Sequence, residues 1–233
     1  LRIAEIYASL QGEGRLAGTP SAFVRTSGCN LRCGWCDTPF TSWQPEGDER
    51  PVAAILDAVR ATGAAHAVLT GGEPLLFRDA VELCGALQAE GVHVTVETAG
   101  TVLPAGFTPP MADLVSISPK LASSAPPADT PGGWHRRHEA ARRRDEVILA
   151  LATPGRHQLK FVVDSPADFA EAEAWVADLG GEIDRRAVFM MPQGRTAAEL
   201  ARTTAWLEPA CHRAGFRLAP RHHVTWYGNR RGT

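Results

Sequence analysis

The sequence predicts an α/β fold in which mainly parallel strands curl into a partial (β/α)6 barrel. Three observations carry that expectation. Six short β-rich runs recur along the chain, each bounded by Gly, Pro or Ser. Segments with apolar residues at helical spacing lie between most of them, so strand and helix alternate. The runs themselves are nearly continuous in apolar residues, as the strands of a helix-covered parallel sheet are. Right-handed crossovers curl such a sheet, and six strands fall short of the eight that close a barrel.

In chain order the strand runs are SAFVRTSG (21–28), AHAVLTG (65–71), VHVTVET (92–98), ADLVSIS (112–118), HQLKFVV (157–163) and AVFMMPQ (187–193). Helical spacing falls at 51–62, 78–90, 138–152, 166–179 and 196–214. Residues 121–137, LASSAPPADTPGGWHRR, interrupt the alternation and read as a surface loop, because Pro, Gly and Ser favour turns. The basic run RRHEAARRR (136–144) includes acidic and alanine spacing that suits a solvated helix face better than a nucleic-acid patch. With 233 residues, 44% of them hydrophobic, residues 1–233 are expected to form one domain with a substantial core.

Charge and cysteine usage narrow the setting. A formal net charge of -2 offers no global attraction for nucleic acid or an anionic membrane. There is no apolar run of about 18 residues, and LRIAEIYASLQGEG lacks the basic-then-apolar layout of a signal peptide. The five cysteines are odd in number and three are crowded together, which suits free thiols in a cytoplasmic protein. Cys84 in AVELCGALQ and Cys211 in EPACHRAG read as small buried hydrophobes.

The chemistry concentrates in SGCNLRCGWCDTPF (27–40), where Cys29, Cys33 and Cys36 follow C-x3-C-x2-C directly after a strand. That is the loop position where barrel enzymes build their sites. Thiolates are soft ligands for zinc or iron-sulfur clusters, and a closed zinc site wants four ligands. Three cysteines on a four-iron cluster leave one iron open to a substrate or cofactor. A zinc knuckle completed by one of the eight histidines is the alternative reading.

With Trp35 immediately before the last cysteine, the motif resembles the signature of radical S-adenosylmethionine enzymes, which would make the fold a radical-SAM-type barrel. LTGGEPLL (69–76) is similar to that superfamily's Gly-Gly-Glu-Pro segment. Further segments resemble the 7-carboxy-7-deazaguanine synthase family: SLQGEG (9–14), FVRTSGCNLRC, CDT, VETAGT, SISPK, MMPQG (190–194) and the tail HHVTWYGNRRGT. The likeness is dense in the N-terminal half and thin in the C-terminal half. The short cysteine loop departs from family versions that carry an insertion there.

The resemblance implies a lyase reaction of 7-deazapurine (queuosine-type) biosynthesis. In it 6-carboxy-5,6,7,8-tetrahydropterin contracts to 7-carboxy-7-deazaguanine with loss of ammonia. A reduced 4Fe-4S cluster on the three cysteines would cleave S-adenosylmethionine to a 5'-deoxyadenosyl radical, with the cofactor regenerated and Mg2+ assisting. It further implies an electron donor such as flavodoxin or ferredoxin, and a homodimer.

Site residues carried over with the resemblance are Thr38 for magnesium, and Leu10, Gln11, Gly12, Glu13, Arg25, Thr70 and Thr233 for substrate. For S-adenosylmethionine they are Trp35, Gly72, Glu73, Ser118, Lys120, Pro192 and Gln193. Residue chemistry supports several of these. Arg25 on a strand facing a barrel interior needs a partner, either the pterin carboxylate or an ion pair with Glu13 or Glu97. Gln11 and Glu13 offer donors and acceptors for the pterin edge, although QGEG also reads as a turn. Thr38 suits magnesium through its oxygen but also reads as a helix N-cap. His222 and His223 carry no assignable role. A glycyl-radical-enzyme activase, or a non-catalytic zinc or iron-sulfur module, remains the competing reading.

Overall fold

The computed structural model describes residues 1–228 and 230–233, among which a nine-stranded sheet forms the backbone of the fold. Strand β1 (Arg2–Leu10) turns back into β2 (Pro20–Thr26), and the short α1 (Pro39–Ser42), β3 (Asp48–Glu49) and α2 (Val52–Thr62) lead to β4 (His66–Gly71). Then come α3 (Asp79–Ala89), β5 (His93–Thr98), β6 (Leu114–Ile117), α4 (Trp134–Ala141), α5 (Asp145–Leu151) and β7 (His157–Val163). The chain continues through α6 (Pro166–Asp178), β8 (Val188–Pro192), α7 (Ala197–Ala214), β9 (Arg217–Leu218) and α8 (His222–Tyr227).

The sheet order is β3-β1-β2-β4-β5-β6-β7-β8-β9, an open sheet and not a closed barrel. The six expected strands are β2 and β4 to β8, parallel neighbours in chain order. Strand β1, antiparallel to β2 and β3, was not expected. Its alternation sets Glu5 and Tyr7 on the cavity side, so it lacks the apolar run that marks the others.

Period-two alternation sorts the side chains of the parallel strands. Val24, Leu69, Val96, Ile117, Phe161 and Met190 are fully buried under the helices, in the main core. Burying a side chain of this kind contributes about 1.5–3 kcal/mol. Their neighbours Arg25, Thr70, Glu97, Ser116, Lys160 and Met191 turn to the other face and line a cavity. Cys84 and Cys211 lie buried in the core on α3 and α7, where burial pushes their thiols up to about 12 and about 11.

Reciprocal caps start two of the helices. On α6, Ser165 Oγ accepts from Asp168 N–H at 3.2 Å while the Asp168 carboxylate accepts from Ser165 N–H, and Thr196 and Glu199 do the same on α7. The helix expected over 138–152 is instead two: Arg144 leaves helical geometry (φ -141°, ψ 79°), and Asp145 begins α5 with its carboxylate accepting from Trp175 Nε1 at 2.7 Å. Residues 121–137 are also more ordered in kind than a surface loop. Leu121 and Ser124 are buried, and Trp134 begins α4. Of the basic run expected to form a helix face, only residues up to Ala141 are helical; Arg142 and Arg143 lie in the break between α4 and α5 and pair with Glu171 and Asp178 on α6. No helix among the described residues is long and apolar enough to cross a membrane.

Candidate active site

A cavity of about 360 Å³ opens at the C-terminal ends of the parallel strands, and all three clustered cysteines reach it. The cysteine loop leaves β2 and is held chiefly by backbone. Gly28 N–H donates to Thr41 O at 2.8 Å, Glu73 N–H to Gly28 O at 2.9 Å, and Gly34 N–H to Ser124 O at 2.9 Å. Trp43 Nε1 donates to Cys33 O at 3.0 Å, and Asn30 Nδ2 to Thr101 Oγ1 at 3.0 Å. Burial pushes the Cys29 thiol up to about 11 and the Cys33 thiol up to about 12, with Lys120 pulling each the other way. Without a cation they stay protonated; a metal centre that displaces the protons would supply the missing compensation.

The Gly-Gly-Glu-Pro turn joins strand ends. A Cβ on Gly71 would lie 2.2 Å from Thr26 O, and one on Gly72 would lie 2.1 Å from Gly28 O, so only glycine lets β4 close against the start of the cysteine loop. Glu73 is fully buried, and its carboxylate accepts from Leu75 N–H, Thr98 Oγ1 and Ala99 N–H at 3.1, 2.8 and 2.8 Å. Burial pushes it above the usual carboxylate range while these donors pull it back. Neither Glu73 nor Pro192, both expected at the cofactor, lies in the cavity wall. Glu73 spends its oxygens tying β4 to β5.

The same cavity is lined by paired charges, one of them Asp37 next to Cys36. Arg25 Nε donates to Glu5 Oε1 at 2.8 Å and Nη2 donates to Tyr7 Oη at 2.8 Å. The partner is therefore Glu5, not Glu13 or Glu97, because β1 runs antiparallel to β2 in a register that puts Glu5 opposite Arg25. Lys160, 5% exposed, donates to Glu13 and also to Glu97 at 3.3 Å. Arg221 Nε donates to Glu13 at 3.2 Å and its Nη2 to Asp37 at 2.9 Å. Burial would raise the Glu13 carboxyl, but Lys160, Arg221 and His223 outweigh it and hold it far below the usual range. Burial likewise opposes the Lys160 charge, and Glu13 and Glu97 overcome it to raise that ammonium above its ordinary value.

Among the expected substrate residues, Leu10, Gln11, Gly12, Glu13, Arg25 and Thr70 all line the cavity, as does Thr233. Gln11 Nε2 donates to Ser21 Oγ at 2.9 Å, and Thr70 Oγ1 to Glu97 at 2.9 Å. On the cofactor side Trp35, Gly72, Ser118, Lys120 and Gln193 line it. Lys120 is tied inward: its Nζ donates to Ser118 O and Oγ, both at 2.8 Å. Thr38 precedes α1 without capping it through its side chain, and its Oγ1 accepts from Thr41 Oγ1 at 3.3 Å.

Sequence reasoning missed Lys160, Arg221, His223, Glu5 and Tyr7. For Lys160 a signal existed, a lysine between Leu159 and Phe161 in an apolar strand.

The donor set fits an iron-sulfur cluster. Three soft thiols come from one short loop and line the same cavity. Parallel strands thus carry the cysteine loop and the cavity at their C-terminal ends. Residues 23–120 match the family described as the Radical SAM superfamily.

Similarity to 7-carboxy-7-deazaguanine synthases runs the length of the chain. The one from Rhodopirellula baltica is 44% identical over 100% of this chain and 89% of its own. The one from Halobacterium salinarum is 46% identical over 98% of this chain and 91% of its own. The chain belongs to the 7-carboxy-7-deazaguanine synthase family. The crystal structure of QueE from Escherichia coli shares the fold, with a TM-score of 0.69 at 22% identity over 95% of this chain and 94% of that one.

Proposed function

We propose that this chain, acting as a single unit over residues 1–233, converts 6-carboxy-5,6,7,8-tetrahydropterin to 7-carboxy-7-deazaguanine with loss of ammonia, in 7-deazapurine biosynthesis. One observation carries the reading: three thiols and a ring of compensated charges open onto the same cavity. When bound, a 4Fe-4S cluster and S-adenosylmethionine supply the radical chemistry, while the protein orients and shields the reactants.

Cys29, Cys33 and Cys36 would hold the cluster and leave one iron for the cofactor. Trp35, Gly72, Ser118, Lys120 and Gln193 would surround that cofactor, with Glu73 and Pro192 supporting the wall from behind. Arg25, steadied by Glu5 and Tyr7, would meet the pterin carboxylate with the guanidinium edge those two leave free. Lys160 and Arg221 keep Glu13 ionised, which makes its carboxylate acceptor-only and suited to the amino and N–H edge of a pterin. Leu10, Gln11, Gly12, Thr70 and Thr233 complete the substrate wall. Thr38 would give its hydroxyl oxygen to Mg2+ beside the substrate, a metal that keeps most of its waters.

Around the enzyme we place a small electron carrier of the flavodoxin or ferredoxin class, a second copy of the chain as a homodimer, and the cytoplasm. The activase and the non-catalytic module leave the charge ring without a task. Anaerobically reconstituted protein, given reductant, S-adenosylmethionine and the carboxypterin, should form deazaguanine product over many turnovers without consuming S-adenosylmethionine stoichiometrically. Cleavage of S-adenosylmethionine with no deazaguanine would refute the substrate.

A further inference from the structure

Residues 121–124 and helix α4, for which the sequence suggests no role, grip the cysteine loop through its backbone. Leu31 N–H donates to Cys29 Sγ at 3.4 Å, so one amide of the loop already points to a thiol sulfur. The next amide does not follow it: Arg32 N–H donates to His138 Nδ1 at 3.2 Å. His138, on α4, is fully buried, and its Nε2 lies 2.9 Å from Ser124 Oγ, which in turn donates to Leu121 O at 2.6 Å.

These contacts fix the tautomer. Because Nδ1 accepts from Arg32, the ring proton sits on Nε2 and is donated to Ser124, whose own proton goes to the Leu121 carbonyl. Burial holds the ring's pKa down to about 4, so it stays neutral and Nδ1 stays an acceptor. The Ser124 carbonyl also takes Gly34 N–H at 2.9 Å, beyond Cys33. One turn therefore holds the loop on both sides of that cysteine. The Arg32 guanidinium, 4.0 Å from the Trp134 ring centre, adds a third attachment to α4.

Hydrogen bonds to cluster sulfurs help set its potential, because each donor stabilises the added electron. We infer that His138, locked by Ser124, is a positioning residue that withholds the Arg32 amide from the cluster's sulfurs and so keeps the cluster strongly reducing. The inference rests on the cluster reading above.

The test compares three variants by redox titration of the reconstituted cluster, followed by its electron paramagnetic resonance signal. His138→Phe fills the ring's space without an acceptor, and its potential should move to a less negative value. Ser124→Ala loosens the ring but keeps the backbone bond to Gly34, and should move it less in the same direction. His138→Asn retains an acceptor oxygen near the Nδ1 position and should stay near wild type. In cluster-free protein, exchange of the Arg32 amide should speed up on the order of tenfold in His138→Phe and stay slow in His138→Asn.

Potentials that do not differ among the variants, or that shift equally in His138→Phe and His138→Asn, would overturn the inference. If His138→Phe takes up no iron, an unmoved Ser124→Ala potential with unmoved Arg32 exchange overturns it as well. Wild-type protein that binds no cluster would end the parent reading, whereas a normal cluster indifferent to His138 ends only this one.

Discussion

The two walls of the cavity are built in opposite ways. Three thiols occupy positions 29 to 36 and are aimed by backbone hydrogen bonds, a glycine junction and neighbouring turns. The charged wall draws its members from far apart: Glu13 meets Lys160 across 147 residues and Arg221 across 208. The first wall takes its thiols from one short loop, braced by backbone partners such as Ser124 and Glu73, and needs a metal centre to compensate the Cys29 and Cys33 thiols that burial keeps protonated. The second compensates itself, carboxylate against cation, before any ligand arrives. A fault in the first should cost chemistry with little cost in stability, and a fault in the second should cost both binding and stability.

The largest expected effect lies on the thiol wall. Replacing any one of Cys29, Cys33 or Cys36 by Ala should remove most iron and all turnover, while Cys84→Ala and Cys211→Ala keep both, as read by iron and sulfide analysis. Retention of iron by Cys33→Ala together with its loss in Cys84→Ala would reverse the ligand assignment.

Next comes Arg25→Ala. Losing a charge-assisted contact in a partly dry site typically costs on the order of 2 to 5 kcal/mol, so carboxypterin affinity should collapse while S-adenosylmethionine still binds. Arg25→Lys should recover little, since an ammonium cannot satisfy Glu5, Tyr7 and a carboxylate with a fork. Loss of both ligands in the anaerobic titration would mean that Arg25 serves chiefly to hold β1 against β2.

Lys160→Met probes the self-compensation. It strands Glu13 and Glu97 with fewer cations, and breaking a buried pair from one side costs about 3 kcal/mol or more, visible in the urea midpoint. An unchanged midpoint would show the ring to be solvated in practice.

A smaller effect appears on acidification. Glu13 titrates lower when folded than when unfolded, so its stabilisation is complete above the ordinary carboxylate value of about 4.3 and fades as pH falls through the folded value. Glu13→Gln lacks that contribution. The urea midpoint of wild type should exceed that of Glu13→Gln at neutral pH, and the gap should begin to narrow below about pH 4 and keep narrowing as the solution is made more acid. A gap that widens in acid contradicts the sign.

Smallest is Thr38→Ala, which should lower turnover and blunt its response to added magnesium at normal iron content. Parallel loss of iron would assign the hydroxyl to support of Cys36, whose sulfur lies 3.9 Å away.

The same contrast explains what could be read in advance. Six parallel strands and the cysteine loop were legible because alternation, turns and ligand spacing are short-range patterns. Strand β1 was not, since its cavity-facing Glu5 and Tyr7 break the apolar signature, and with it went the partner of Arg25. Glu73 was legible as part of a turn but not in its task, because the donors that occupy it, Thr98 and Ala99, come from the next strand's end. Arg221 follows α7 in a stretch with no periodic signal, and only folding brings it to Glu13.

The most direct test of the two-wall contrast sets Cys33→Ala beside Lys160→Met and measures, for each, the iron bound after reconstitution and the urea midpoint of the cluster-free protein. A crossed result is expected: Cys33→Ala binds little iron yet unfolds close to wild type, whereas Lys160→Met binds iron normally and unfolds at distinctly lower urea. If both variants lost iron and stability together, the walls would be one cooperative unit, contradicting their separate construction.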